Sequence, residues 1–176
     1  ILLLVDERGE VLSGEMGVGP ANMQQAIAIW HEVSEDYHTL EDFLADYETL
    51  QADDAADLRP LVEALVFNVK NGEKLPMLSV VEGRTVHVTD PKGDARVPRE
   101  LSQLLDTGQF VVAPMVAADR VIGAIIADNK FTEHDISRNS VRFLTVLADL
   151  AALAIDRADT YQETRQQAEQ LDEGQP

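Results

Sequence analysis

Four basic residues lie close together in the middle of the chain: Arg84, Lys92, Arg96 and Arg99. They stand out because the 176-residue chain has 32 acidic and only 14 basic residues, a net charge of −18. Guanidinium and ammonium groups bind carboxylates and phosphates through charge-assisted hydrogen bonds, so one interpretation is a site for an anionic small molecule. The alternative is a solvated loop whose cations pair locally with Asp90, Asp94 and Glu100.

His87 is the most informative of the four histidines, because it lies among apolar residues in the middle of a predicted strand. Its imidazole could face a ligand, or it could be an ordinary strand histidine with hydrogen-bonded ring nitrogens. The histidines form no i, i+4 ligand pair, and the chain contains no cysteine. We therefore predict no metal site, no disulfide and no thiolate nucleophile.

The sequence carries none of the familiar enzyme motifs. It has no phosphate-binding Walker loop, no Gly-x-Ser-x-Gly and no His-Glu-x-x-His,. The acidic pair Asp53-Asp54 lies at a predicted helix start, where it complements the helix dipole. We predict that this domain is not an enzyme.

The strong excess of acidic residues bears on the partners of the domain. A surface of net charge −18 repels both nucleic-acid phosphates and anionic lipids,. We therefore expect no nucleic-acid binding. No apolar run approaches the roughly 20 residues of a membrane span.

The stretch from Phe110 to Asn129 is predicted to form the centre of a β-sheet. Two runs rich in valine and isoleucine flank the polar pair Asp119-Arg120, which is typical of a β-hairpin,. Neither run alternates cleanly between apolar and polar residues, so both faces of the hairpin should be covered. Pro114 indicates a bulge or an unpaired position, and Gly123 indicates a close approach to the backbone.

The rest of the chain divides into predicted elements around this hairpin. They are a first hairpin from Ile1 to Met16, helices beginning after Asn22 and Thr39, a helix within Asp53–Lys70, strands at Leu78–Val81 and Thr85–Val88, a short helix at Val97–Leu105 and a last helix from about Ile136 to about Leu171. Apolar residues at three- and four-residue steps indicate the helices. Asn22 and Asp135 are candidate N-caps.

Several of these pieces together resemble the GAF domain family. The matching pieces are the hairpin end Ile122–Asn129, the link Phe131–Asp135, the helix from Phe143 to Tyr161 and the first strand with its turn, Leu2–Gly9. The resemblance covers nearly the whole chain. It implies an α+β fold with one antiparallel sheet, the C-terminal helix on one face, and the middle helices with roofing loops on the other.

The resemblance also implies a ligand pocket between the sheet and the middle helices, near His87, Arg96 and Phe110. The candidate lining residues are His87, Arg84, Arg96, Arg99, Phe110, Trp30 and Phe67. The alternative for the aromatic residues is plain core packing. Because the chain lacks cysteine, a covalently attached bilin and a thiol-dependent sulfoxide reductase activity are excluded, and haem is not expected. The cofactor and the ligand stay unknown.

Asn129-Lys130-Phe131, followed by Asp135, resembles a compressed form of a motif in cyclic-nucleotide-binding GAF domains. The gap that follows Asn-Lys in that motif is missing, and Ile136 stands where the motif has Glu. These departures argue against cyclic-nucleotide binding. The resemblance implies a structural role for Lys130 and Asp135, which would tie the hairpin to the last helix.

We expect one GAF-like domain over residues 1–161 and a helical extension over 162–176 toward an effector domain. The chain begins inside an apparent strand, so we expect it to belong to a longer protein. The resemblance implies a sensory or regulatory function in a cytoplasmic bacterial signalling protein such as a sensor histidine kinase. One alternative is a ligand-free dimerisation or scaffold module. Another is a PAS-like sensor, against which the long helical insertion argues.

The last helix is predicted to mediate a weak homodimer. Ala151, Ala154, Ala158 and Tyr161 follow the three- and four-residue steps of a coiled-coil seam,. Alanine side chains allow close approach but bury little area. We therefore predict weak dimerisation through these four residues.

Overall fold

A computed structural model of the chain describes residues 1–20, 22–27, 58–68 and 72–173. Its elements in chain order are β1 (Leu2–Val5), β2 (Val11–Met16), β3 (Val66–Asn68), α1 (Met77–Glu82), β4 (Val86–Val88), α2 (Arg99–Leu105), β5 (Phe110–Ala117), β6 (Arg120–Asp128) and α3 (Arg138–Glu173). Residues 23–27 and 58–64 are also helical. Within the described ranges, no helix is both long enough and apolar enough to cross a lipid bilayer.

The six strands form one antiparallel sheet in the order β3-β2-β1-β6-β5-β4. The predicted β5–β6 hairpin is its longest pairing, and β1 adds to the other side of β6. Of the eight residues of β5, all but Val116 are buried. The double-sided burial expected for the hairpin is therefore confirmed, and it places β5 and β6 at the centre of the fold.

Helices cover both faces of the sheet, as predicted. The inner face carries α1 and α2, and its core comprises Leu3, Leu12, Leu65, Leu75, Met77, Val80, Val86, Val88, Val97, Leu101, Leu105, Phe110, Val112, Ala124 and Ile126. The opposite face, called the α3 face here, is covered by α3, and its core comprises Ala113, Met115, Ala117, Ala148 and Ala152. In β1, β5 and β6 successive residues alternate between the two faces, so these three strands take part in both cores,.

The hairpin turn lies one residue earlier than predicted. Ala118 and Asp119 have φ angles of +48° and +63°, and Ala117 pairs with Arg120. Two consecutive left-handed residues form the tight turn whose twist matches that of the flanking strands. The irregularity predicted at Pro114 falls between Met115 and Val116, where the register with β6 shifts. Pro114 itself stands opposite Ala124.

Two predicted elements are wrong. Leu78–Val81 was expected as a strand but lies in α1, which ends where Gly83 adopts a left-handed φ of +61°. Val66–Asn68 was expected at the end of a helix but forms β3 against β2. In both segments tertiary packing overrides local propensity: Ser79 in α1 donates a hydrogen bond to the Val112 carbonyl of β5, and β3 completes the sheet edge.

The predicted helix starts agree better with the structure. The Asn22 side chain accepts a hydrogen bond from Gln25 N at 3.0 Å, which confirms its capping role,. The short helix predicted at Val97–Leu105 is α2. The last helix begins at Arg138, and its first turn is capped by Ser137 Oγ, which accepts from Ser140 N at 3.1 Å. Asp135 is therefore not the cap.

Gly123 lies where β1 approaches β6 most closely. A Cβ atom on Gly123 would lie 2.0 Å from the Leu3 carbonyl oxygen and 2.7 Å from the Met115 Cε atom. Backbone of β1 cannot move away without breaking its pairing with β6. The close approach predicted from the sequence is confirmed, and only glycine fits this position.

We expect Gly123→Ala to lower the free energy of unfolding by about 2–4 kcal/mol, because the added methyl group overpacks a backbone contact. Gly108→Ala is the matched control, since a Cβ at Gly108 meets nothing within 4 Å. Urea denaturation of both variants measures the difference. Equal effects at the two positions would contradict the steric explanation.

Candidate functional site

The structure separates the residues that were predicted to share one pocket. Phe110 is fully buried in the inner-face core. Val88 pairs with Phe110 and His87 pairs with Val111, so the His87 side chain points to the opposite face of the sheet,. Arg96 lies in the loop before α2. The predicted centre of the pocket is therefore filled by core side chains.

His87 is a hydrogen-bonded strand histidine on the α3 face. Its Nε2 atom lies 3.2 Å from Gln109 Oε1. Close by, the hydroxyls of Thr85 and Thr145 are 2.8 Å apart and join the sheet to α3. This environment fits the interpretation of His87 as an ordinary strand histidine with a hydrogen-bonded ring nitrogen. No cluster of three or more potential histidine or carboxylate metal ligands occurs in the ranges that the structure describes.

The basic cluster divides into two paired and two groove-lining residues. Arg84 forms a salt bridge with Glu82, and Arg96 NH2 lies 2.6 Å from Asp94 Oδ2. The hydrogen bond from Arg96 holds the pKa of the Asp94 carboxyl below its usual value. Lys92 and Arg99 line a shallow groove of about 710 Å³ together with Asp106. Local pairing thus neutralises half of the predicted cluster.

Another cleft lies on the inner face at the end of β6. This β6 cleft has a volume of about 340 Å³, within the range of small-molecule sites. Its described lining residues are Ile1, Val18, Gly19, Pro20, Leu58, Leu61, Leu105, Ile125, Ile126, Ala127, Asp128, Asn129, Lys130, Phe131 and Thr132. Apolar side chains from β6, α2 and helix 58–64 form one part of the wall, and the segment from Asp128 to Thr132 adds polar groups, so the lining is mixed.

The two remaining aromatic candidates are Phe67 and Trp30. Phe67 borders a separate cleft of about 520 Å³ between β3 and α2, whose rim carries Glu73, Lys74 and Glu100. Trp30 lies outside the described residues.

Asn129 and Gln109 form a hydrogen-bonded junction beside the β6 cleft. Asn129 is only 7% exposed, and its Oδ1 atom accepts hydrogen bonds from Gln109 N at 2.9 Å and Thr107 Oγ1 at 3.1 Å. Its Nδ2 atom donates to the His134 carbonyl at 2.7 Å. One amide side chain thus joins the loop after α2, the end of β6 and the link that leads to α3.

The Gln109 side chain extends this junction to the start of α3. Gln109 Oε1 accepts a hydrogen bond from Ile136 N at 3.0 Å, and Gln109 Nε2 donates to Asp135 Oδ1 at 2.6 Å. Sequence reasoning did not single out Gln109, and it named Asn129 only as part of the Asn-Lys-Phe motif, without a role of its own. Asn129 directly follows a buried strand and precedes a polar link, which was the available signal for a buried capping amide.

Lys130 and Asp135 do not form the predicted pair. Among the described residues, Asp135 contacts Gln109, whereas Lys130 Nζ lies over the Phe131 ring, 5.9 Å from its centroid. The tie between the hairpin and the last helix exists, but Asn129 and Gln109 form it. The physical reason is that an amide side chain can accept and donate hydrogen bonds at once, as the buried Asn129 and the half-buried Gln109 do,, whereas a surface ion pair contributes little.

The four predicted seam residues have different environments. Ala151 packs against the α3-face core of its own domain. Ala154, Ala158 and Tyr161 are exposed. Ala151 is therefore placed on the sheet side of α3, away from a possible seam.

We expect Asn129→Ala to lower the free energy of unfolding by about 2–3 kcal/mol, because Gln109 N and the His134 carbonyl lose their buried partners. Lys130→Ala is the neighbouring control and should change stability by less than about 1 kcal/mol. Chemical denaturation of the two variants tests this. A larger loss of stability for Lys130→Ala than for Asn129→Ala would instead support Lys130 as the residue that ties the hairpin to the last helix.

The fold is shared with several solved bacterial domains. A methyl-accepting chemotaxis protein domain superposes with a TM-score of 0.57 at 16% identity, covering 91% of this chain and 78% of that one. The GAF domain from an Acinetobacter phosphoenolpyruvate-protein phosphotransferase gives 0.53 at 16% identity, covering 92% and 72%. The GAF domain/HD domain protein from Geobacter sulfurreducens gives 0.50 at 21% identity, covering 60% and 68%.

Sequence comparison agrees with the structural similarity. No curated protein sequence matches this chain. The family profile described as "GAF domain" matches residues 22–155, which is most of the chain. The matched range includes β5, β6 and the part of α3 that packs on the sheet. This chain therefore belongs to the GAF domain family.

Proposed function

We propose that this GAF domain is a regulatory module that binds a small molecule in the β6 cleft and transmits the binding event to α3. The structurally similar domains support a signalling role, since one belongs to a chemotaxis protein and another to a phosphotransferase. The effector is a domain of the same protein, in the cytoplasm, such as a sensor histidine kinase. The domain itself performs no catalysis.

The observation that carries this proposal is the shared wall between the cleft and the start of α3. Ala127, Asp128, Asn129 and Thr132 line the β6 cleft, and the same four residues line a second cleft of about 590 Å³ beneath the start of α3. The side chains of Asn129 and Gln109 then connect this wall to Asp135 and Ile136. A ligand that displaces the wall changes the hydrogen bonds that position the first turn of α3.

The chemistry of the β6 cleft favours a ligand with an apolar body and a polar end. Leu105 and Ile126 supply a buried apolar wall. Asp128, Lys130 and Thr132 line the same cleft and can offer a carboxylate, an ammonium and a hydroxyl group. Burial of the apolar body supplies affinity, and the polar end selects orientation.

A second candidate site is the groove at Lys92 and Arg99. Within the described part of the chain, Arg84 and Arg96 form salt bridges, whereas Lys92 and Arg99 form none. An anionic ligand would bind there by charge-assisted hydrogen bonds. A third possibility is that the domain is a ligand-free scaffold, in which neither the β6 cleft nor the basic groove binds a small molecule.

We expect a thermal-shift screen of small carboxylates, amines and nucleotides to yield ligands that raise the Tm. A ligand at ten times its Kd stabilises the fold by about 1.4 kcal/mol, or about 3–6 °C for a chain of this size. Val18→Trp narrows the rim of the β6 cleft and should abolish the shift. Val66→Trp is the matched control, because Val66 is equally accessible but lines the cleft beside β3.

The same screen separates the three possibilities. A shift lost in the double variant Lys92→Ala/Arg99→Ala and kept in Val18→Trp would assign the ligand to the basic groove. Flat melting curves across the whole library would favour the scaffold.

We also expect ligand binding to change hydrogen exchange of the amides in the first two turns of α3. Gln109→Ala removes the hydrogen bonds to Ile136 N and Asp135, so this variant should keep the thermal shift but lose the exchange response. Gln103→Ala, an exposed glutamine on α2, is the control. An unchanged exchange response in Gln109→Ala would contradict transmission through the junction.

A further inference from the structure

We infer that the cleft beneath the start of α3 is a separate binding site for an amphipathic cation, a small organic ammonium compound with an apolar body. This α3 cleft has a volume of about 590 Å³, which lies within the range of small-molecule sites. It lies on the α3 face, because its lining includes Leu144, which packs against the α3-face core. The inference holds whether or not the β6 cleft binds a ligand.

Apolar side chains in the α3 cleft provide the surface for the body of the ligand. Val111 of β5 is 1% exposed, and Leu144 is half-buried. Phe143 and Leu147 lie one helical turn apart on the same side of α3, and both line the cleft although they are 71% and 45% exposed. A ligand body that covers these two side chains removes apolar surface from water, which favours binding.

The charged groups of the α3 cleft select a cation. The described lining residues include the carboxylates Asp128 and Asp135 but no lysine or arginine. Asp135 Oδ1 accepts a hydrogen bond from Gln109 Nε2 at 2.6 Å, whereas the described residues provide no donor to Asp135 Oδ2. The net charge of −18 also attracts cations and repels anions at long range,. Charge complementarity therefore favours an ammonium group over a carboxylate or a phosphate.

The Phe143 ring adds a second means of recognising a cation. An ammonium group over the face of an aromatic ring is attracted by the electron density of the ring, and quaternary ammonium groups are bound in this way. Phe143 and Asp135 line the same cleft. An ammonium with an apolar body thus matches the ring, the carboxylates and the apolar lining together.

The positive end of the α3 helix dipole does not oppose this binding strongly. Two amides at the start of the helix are already paired, since Ile136 N donates to Gln109 Oε1 at 3.0 Å and Ser140 N donates to Ser137 Oγ at 3.1 Å. The effect of the dipole falls off within the first turn. Phe143 lies in the second turn of α3, which begins at Arg138.

A cation bound in the α3 cleft contacts the link and the helix together. Asp135 belongs to the link, whereas Phe143 and Leu147 belong to α3. Such a ligand stabilises the start of α3 on the sheet directly, without displacing the wall of the β6 cleft. The domain thereby gains a second input to the same helix, of a different chemical class from an anion bound in the basic groove.

Titration of the 176-residue chain with benzyltrimethylammonium chloride, followed by nuclear magnetic resonance, tests the inference. The titration is run at about pH 8, where histidine side chains carry little charge. We expect saturable shifts of the amide signals of Asn139, Ser140 and Phe143. Tetramethylammonium lacks the apolar body and 3-phenylpropanoate carries the opposite charge, so each should bind at least about tenfold more weakly.

Two substitutions separate the ring from the carboxylate. Phe143→Leu keeps an apolar side chain but removes the ring, and should raise the probe Kd about threefold to tenfold. Tyr161→Leu is its matched control, because Tyr161 is an exposed aromatic residue of α3 outside the cleft. Asp135→Asn keeps an acceptor for Gln109 and should raise the Kd about twofold to fivefold. Asp149→Asn, at an exposed carboxylate of α3 outside the cleft, is the control.

Four results would overturn the inference. The first is the absence of saturable shifts up to about 10 mM probe, a concentration at which even weak specific binding is measurable. The second is an equal loss in the control variants, which would indicate general attraction to an acidic surface. The third is loss of probe binding in Val18→Trp, which would place the probe in the β6 cleft. The fourth is an apparent Kd that rises with protein concentration, which would show that a second copy of the chain covers the cleft.

Discussion

The double-sided burial of β5 and β6 is the constraint on which the rest of the structure depends. A strand with apolar side chains on both faces is stable only if both faces are removed from water. The inner face meets α1 and α2, and the opposite face meets α3. One helix covers only about two strands, since a helix is about 10 Å wide and strands lie about 4.8 Å apart. Helix α3 therefore runs over the hairpin, and Gly123 allows β1 to pair closely beside it.

The burial of the hairpin also determines how the chain leaves the sheet. At the end of β6 the backbone must change direction before α3 begins, and its polar groups must still be paired. Asn129 and Gln109 provide these partners. Because the same segment forms a wall of the β6 cleft, a structural requirement creates a direct physical connection between this cleft and the link that leads to α3. This connection is the basis of the regulatory role that we propose.

The sequence by itself determined the class of fold, because the apolar pattern of the hairpin and the periodicity of the last helix depend on local residue order. It also identified Gly123 and the capping role of Asn22. It could not distinguish α1 from a strand or β3 from a helix end. Short apolar segments fit a helix and a strand equally well, so tertiary contacts determine which one forms. The functional site was decided by the tertiary structure for a similar reason. His87 and Phe110 lie on paired strands one register position apart, so their side chains point to opposite faces of the sheet. The cations of Arg84 and Arg96 are neutralised by nearby carboxylates. The junction of Asn129 and Gln109 joins residues 20 positions apart, and such a long-range contact leaves no periodic signal in the chain.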